Sequence, residues 1–191
     1  MSAVPARRPV HATDPELVAA IAAGDLGCLG ALFDRHGEDV HRLVARLGIT
    51  DADVDDVVQS TFLQVVRVAH GYDGRPQARP WLLGIAVKMV QRHRRSMARV
   101  ARRAIAWAAE PRAANIPSAD EAFEAHEGAA RARRALERLS SKKREVFVLV
   151  VLEGVRGEDA ASALGIPVAT VWTRLHHARR ELRDALSKES S

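Results

Sequence analysis

The stretch GEDAASALGIPVATVWTRLHHARRELRDAL, residues 157–186, decides how the rest of the chain is read. Glu158 to Leu164 makes one short amphipathic helix with Ala160, Ala161 and Leu164 turned inward. Gly165 stands where a left-handed residue ends that helix, Ile166 plugs the turn, and Pro167 opens a longer helix. Small residues allow two helices to cross closely, so the spacing predicts a helix-turn-helix. Val171, Leu175, Ala178 and Leu182 form the inward stripe of the second helix. Its other face carries Thr170, Trp172, Thr173, Arg174, His176, His177, Arg179 and Arg180. Laid in a major groove, the first of these meet base edges and the later arginines meet phosphates. A structural helical hairpin is the plain alternative, and it gives the basic face no purpose.

Working toward the N-terminus, apolar residues recur at helical spacing nearly everywhere, and no stretch alternates with period two between turns. The chain is predicted to be all-α. Asp14-Pro15 reads as a cap followed by proline at the first helical position. A second helix runs from about Asp25, with Leu29, Leu32, Phe33, Val40, Leu43, Val44 and Leu47 inward, until Gly48 stops it. Thr50 or Asp51 caps a third, whose broad apolar face holds Val54, Val57, Val58, Phe62, Val65 and Val66. The turn-rich HGYDGRPQARP follows, and Pro80 opens a fourth helix at Trp81. From about Arg103 to Ser118 the periodicity decays around Pro111 and Pro117, which reads as a linker. A helix from about Asp120 to Leu139 leads into a second lobe, where a helix from Lys142 to Leu152 ends at Gly154. The expected organisation is a disordered 1–11, a helical domain at 12–103, a linker at 104–119, a helix-turn-helix domain at 120–186 and a tail at 187–191.

With 47% hydrophobic and 28% charged residues, 191 residues suit one or two small globular domains. The longest apolar run, VFVLVVL at 146–152, is far shorter than the roughly 20 residues of a bilayer span. No apolar stretch follows the basic N-terminal residues, so neither a signal peptide nor a membrane insertion is expected. Cys28 is the only cysteine, which excludes an internal disulfide and a cysteine-based zinc cluster. A reducing cytoplasm is the expected compartment, and Cys28 reads as core.

Charge is segregated along the chain. Asp14 to Asp56 holds ten acidic residues against three arginines, whereas Lys88 to Arg103 holds seven basic residues and no acid. One end suits a basic protein surface and the other suits phosphate. Lys88, Arg92, Arg95, Arg99 and Arg102 step along one side of the fourth helix, giving a cationic stripe that matches a nucleic-acid backbone. Tyr72 and Trp81 flank its start, and aromatics beside a basic groove can stack unpaired bases. Glu38-x-x-His41 is half of a bundle di-metal signature, but no second copy exists. With no glycine-rich phosphate loop or nucleophile elbow either, no catalytic residue, metal or cofactor is expected.

Three segments in order, DADVDDVVQSTFLQVV, RPWLLGIAVKMVQRHRR and LERLSSKKREVFVLVVLEGVRGEDAASALGIPVATVWTRLHHARREL, resemble a bacterial RNA polymerase sigma factor of the extracytoplasmic-function (ECF) group of the sigma-70 family. The likeness spans roughly residues 12 to 186. It implies core RNA polymerase and promoter DNA as partners, with a sigma-2 and a sigma-4 domain. Asp55, Asp56, Val57, Val58, Gln59, Phe62 and Leu63 match the segment that docks on the polymerase clamp helices. Tyr72, Trp81, Lys88, Gln91, Arg92, Arg95 and Arg99 fall where the family melts and holds the −10 element. Arg156, Ala169, Thr170, Trp172, Thr173, Arg174, His176, His177 and Arg179, within or beside a helix-turn-helix at 157–180, fall where it reads the −35 duplex. An anti-sigma factor covering both DNA surfaces is a further implied partner.

Two departures bear on promoter choice. The family's Ile-Ala-Arg-Asn run becomes Ile85, Ala86, Val87 and Lys88, and its Gly-Thr-Val-Arg-Ser-Arg becomes Ala169-Thr170-Val171-Trp172-Thr173-Arg174. Trp172 cannot make an arginine's bidentate contact to guanine, so an unusual −35 sequence is expected. The nearest rival is a helix-turn-helix regulator that binds operator DNA without joining polymerase. It needs only the C-terminal lobe and leaves residues 55–66 without a role.

Overall fold

The computed structural model describes residues 12–107 and 125–188. Expectations about 1–11, 108–124 and 189–191, including most of the linker, the start of the 120–139 helix and the end of the tail, lie outside the described residues. The first helix, α1 (Asp14–Ala22), is capped one residue earlier than the sequence suggested. Thr13 is the cap and Glu16 reaches back to accept from its backbone N–H at 2.7 Å, which frees Asp14 to turn inward. Helix α2 (Gly27–Arg46) ends at Leu47 and Gly48, whose φ of +82° takes the left-handed turn that a side chain resists. Thr50 caps α3 (Asp51–Val68), and Pro80 lies in the first turn of α4 (Arg79–Trp107). That helix continues past Arg103, where the sequence pattern fades: nothing in Ala104-Ile105-Ala106 breaks a helix, and the first proline is Pro111.

The C-terminal unit holds α5 (Ala125–Arg138), α6 (Ser141–Phe147), α7 (Gly157–Leu164) and α8 (Val168–Lys188). Between α6 and α7 the backbone departs from the expected α-helix: Val148–Leu152 is a π-turn, closed by Glu153 N–H donating to the Val148 carbonyl at 2.9 Å. Crowded β-branched residues fill this run, and the wider turn, followed by Gly154 at φ +66°, re-aims the chain into α7. Gly165 takes φ +65°, as the turn requires, and Ile166 N–H donates to the Ala161 carbonyl at 3.1 Å.

Among the described residues there is no strand, and the all-α reading holds. Leu17, Leu32, Val40, Leu43, Leu47, Val65, Leu82, Leu83 and Val87 fill the α1–α4 bundle, while Val146, Leu149, Ala160, Val171 and Leu175 fill the second unit. Each fully buried aliphatic side chain contributes roughly 1.5 to 3 kcal/mol. The two cores are continuous, because α7 lies directly along α4. Gly84 and Ala163 mark the crossing: a Cβ on Gly84 would stand 2.7 Å from that of Ala163. No helix among the described residues is long and apolar enough to cross a membrane.

Candidate nucleic-acid and polymerase interface

Periodicity places a broad apolar face on α2 and another on α3, and neither is wholly used by the bundle. The remainder forms a surface groove between them, lined by Leu26, Leu29, Gly30, Phe33, Asp55, Asp56, Val58, Gln59, Phe62 and Leu63. Leu63 is 57% exposed and Phe33 46%, while Asp55, Asp56 and Gln59 are exposed at the rim. Val58 and Phe62 are buried and form the floor, with the Phe62 ring edge-on to Phe33 at 4.9 Å. Phe33 was expected inward. The apolar arc of α2 is wider than its partners cover, so Phe33 ends at the surface instead. Sequence reading therefore found the α3 wall of this groove and missed the α2 wall, Leu26, Leu29 and Phe33.

Helix α4 divides its sides sharply. Leu82, Leu83, Ala86, Val87 and Val90 are fully buried, whereas Lys88, Arg92, Arg95, Arg99 and Arg102 are exposed along one side. Ile85 is buried and Met89 half-buried beside them. Tyr72 and Trp81 pack ring to ring at 4.8 Å, both half-buried, before the stripe begins. Burial, then the charges of Asp14 and Asp73, push the Tyr72 phenol up to about 12, so it stays protonated and donates to the Arg75 carbonyl. Gln91 is set apart from the stripe: its amide donates to Glu145 of α6 at 3.0 Å. Burial raises the Glu145 carboxyl above its usual range, against the pull of Gln91, Arg94, Arg174 and Lys142.

On the helix-turn-helix, Val171, Leu175 and Ala178 are buried as the sequence requires. Ala169, Trp172, Thr173, His176 and Arg179 are exposed, and Thr170, Arg174 and His177 half-buried. Thr173 spends its hydroxyl on the Ala169 carbonyl at 3.0 Å. Trp172, 52% exposed, lies over the start of α7, where a Cβ on Gly157 would come within 2.5 Å of its Cζ2. Arg156 caps α7 and holds Asp159 at 2.9 Å.

A charged network absent from the sequence reading joins the two units. Glu153 receives Arg46 and Arg79 at 2.7 Å each, and Arg42 stands 3.9 Å away. Arg79 also holds Asp39 at 2.7 Å; burial alone raises that carboxyl, but Arg79 and then Arg42 keep it below its ordinary value. Arg75 bridges Asp73 and Asp159. Around Glu38 and His41 only ion pairs occur, to Arg42 and Asp55, and no group of three metal-ligating side chains exists among the described residues. Cys28 is buried, with its thiol pushed up by burial and then by Asp25.

The chain as a whole has known relatives. The chain matches the Sigma-70 region 2 family model over residues 32–107 and the Sigma-70, region 4 model over 129–182. It is 30% identical over 178 residues to the RNA polymerase sigma factor NccH of Alcaligenes xylosoxydans xylosoxydans, a match covering 89% of this chain and 95% of that protein. To the ECF RNA polymerase sigma factor SigM of Mycobacterium tuberculosis it is 34% identical over 170 residues, covering 89% and 83%. Its fold matches CnrH, solved in complex with the cytosolic domain of CnrY, with a TM-score of 0.66 at 28% identity over 92% of this chain and 97% of that one. CnrH is an RNA polymerase sigma factor of Cupriavidus metallidurans. An operator-binding regulator built on the C-terminal unit alone does not account for a region 2 match or for likeness along the whole chain. An apolar groove, a cationic helix and a helix-turn-helix on one all-α chain thus have a single common explanation: this protein belongs to the extracytoplasmic-function group of sigma-70 family RNA polymerase sigma factors.

Proposed function

We propose a division of labour among the three surfaces. The groove walled by Asp55, Asp56, Gln59 and Leu63 on α3, with Phe33 opposite, docks on core RNA polymerase. Tyr72, Trp81 and the Lys88, Arg92, Arg95, Arg99 stripe hold the melted −10 element, and the outer face of α8 reads the −35 element as duplex. The observation that carries this is the α4 stripe, five exposed bases with no acid among them, beginning beside a pair of aromatics in contact. The working compartment is the cytoplasm, and polymerase chemistry belongs to the partner, so no residue here is assigned a catalytic role. An anti-sigma factor is the proposed negative partner; the similar CnrH was solved bound to another protein, the cytosolic domain of CnrY. The test is initiation on a fork-junction promoter library. Transcripts that need both this chain and core polymerase support the proposal; tight duplex binding with no engagement of core overturns it.

Two smaller predictions follow from the DNA surfaces. Arg95→Ala should weaken binding to fork DNA equally for all sequences and lower the slope of log K against log salt by about 0.7, one single-strand phosphate contact. A slope unchanged by the substitution removes Arg95 from the backbone contacts. At the recognition helix, Trp172→Arg should shift the selected −35 sequence toward guanine, with roughly 1 to 3 kcal/mol of discrimination at one position. Identical selections by both proteins would show that residue 172 does not face the bases.

A further inference from the structure

The exposed side of α8 changes character along its length. Val168, Trp172 and His176 stand four residues apart, with Ala169 and Thr173 beside them, and all five are exposed. None is an arginine, a lysine, an amide or an acid, so they offer no paired donor for guanine, no amide for adenine and no carboxylate for cytosine. Arg174, the first guanidinium of the helix, is half-buried and acts on α6 instead: burial raises the Glu145 carboxyl, and Arg174 is among the charges that pull it back. Thr173 spends its hydroxyl proton on the Ala169 carbonyl, which leaves a methyl group and an acceptor. The donors that remain, the Trp172 indole N–H and a His176 ring nitrogen, are single. A single donor meets N7 of adenine and of guanine alike, so it cannot tell the two apart. Arg179 and Arg180, exposed farther along, suit phosphates.

Trp172 is seated rather than loose. Gly157, the buried first residue of α7, is not among the glycines with positive φ, so its backbone does not call for glycine. The indole does: a Cβ at 157 would stand 2.5 Å from Cζ2 and 3.1 Å from Cε2 and Cη2. One edge of the six-membered ring is therefore fixed against α7, while Trp172 stays 52% exposed one turn along from Val168, itself 39% exposed. An aromatic already held in one place loses little further freedom on docking.

We propose that Trp172, seated on Gly157, selects thymine in the −35 element by apolar contact with the thymine 5-methyl group in the major groove, with Val168 beside it. The proposal rests on the reading of α8 as the −35 helix. The 5-methyl group is the one base-edge feature that asks for neither a donor nor an acceptor, and among the four bases only thymine carries it. A face that has lost its forked donors and kept an indole, a valine and a spent threonine can discriminate by that group. Its place at the start of the recognition helix is where side chains reach base edges.

The test uses holoenzyme, core polymerase with the full-length chain, on promoter DNA whose −35 duplex is selected from a randomised window. Selection should return thymine at one position or more. Uracil in its place removes the methyl group and keeps the pairing and the O4 acceptor. At the thymine under Trp172 that replacement should weaken binding about fourfold, the worth of one buried methyl group. Trp172→Ala should bind the thymine and uracil promoters equally. Gly157→Ala, which unseats the indole, should erase the uracil penalty while Trp172 is present and change nothing once residue 172 is alanine. A glycine needed only for the fold costs affinity and melting temperature in both backgrounds, which overturns the seat. Selection without thymine, uracil tolerated at every position by the wild type, or a penalty that survives Trp172→Ala overturns the proposal. A preference in the window with no dependence on the methyl group overturns the thymine reading alone; no preference anywhere in the window, with initiation intact, overturns the −35 reading beneath it.

Discussion

Leu63→Asp is expected to weaken binding to core RNA polymerase by about a hundredfold or more, equivalent to roughly 2.7 kcal/mol, while leaving the melting temperature of the free chain unchanged. Leu63, 57% exposed, is the most exposed apolar side chain on the α3 wall of the α2–α3 groove. A carboxylate there loses apolar burial at the centre of the contact and must be desolvated between Asp55, Asp56 and the partner. Phe62→Ala is a poorer probe although Phe62 lines the same groove. Phe62 is 4% exposed and props Phe33, so removing it opens a cavity and costs fold stability as well as binding. Titration of labelled chain with core polymerase, beside thermal melts, separates the two effects. Unchanged core affinity with Leu63→Asp removes the groove from the interface.

What the sequence could reveal of the fold was local. Gly165 and Pro167 mark the helix-turn-helix because each has a backbone demand that needs no partner, and Gly48 and Thr50 mark the α2–α3 junction for the same reason. Where two local signals compete, the tertiary environment chooses between them. Thr13 and Asp14 are both good caps, and Asp14 is drawn inward because Arg35, His36 and the Ala78 N–H converge on it from α2 and the start of α4. The π-turn at 148–152 left no trace, since VFVLVVL fits an α-helix as well as it fits the wider turn.

The exposed faces of α4 and α8 were legible from period alone, because a helix buried on one side must leave its other side out. The junction between the units was not. Gly84 and Ala163 read as ordinary helix residues, and only their meeting shows why nothing larger fits. The ion pairs that seal the junction join residues 74, 84 and 107 positions apart, a separation over which charge pattern in one sequence carries no pairing information.

Asp14→Ala is expected to destabilise the chain by about 3 to 5 kcal/mol, a fall in melting temperature on the order of 10 °C. The Asp14 carboxylate accepts Arg35 at 2.6 Å, His36 at 3.0 Å and the Ala78 N–H at 2.8 Å, and so ties α1 to α2 and to the entry of α4. Alanine leaves all three groups facing a site with no acceptor, and two of them, the His36 ring and the Ala78 N–H, belong to buried residues. Asn keeps one acceptor oxygen and should lose about half as much. Acid separates the charge from the packing. Burial alone raises the Asp14 carboxyl, but the bonds from Arg35, Ala78 and His36 outweigh it and hold its pKa below the ordinary carboxylate value. A carboxyl with a depressed folded-state pKa stabilises fully above its unfolded value and loses that contribution as pH falls through the folded one. The wild-type and Asp14→Ala stability curves should therefore run apart at neutral pH and converge only below the ordinary carboxylate range. Denaturant melts of both proteins from pH 7 to pH 2 check it: a constant gap across that range makes the loss one of packing, and no gap at pH 7 removes Asp14 as the tie between these helices.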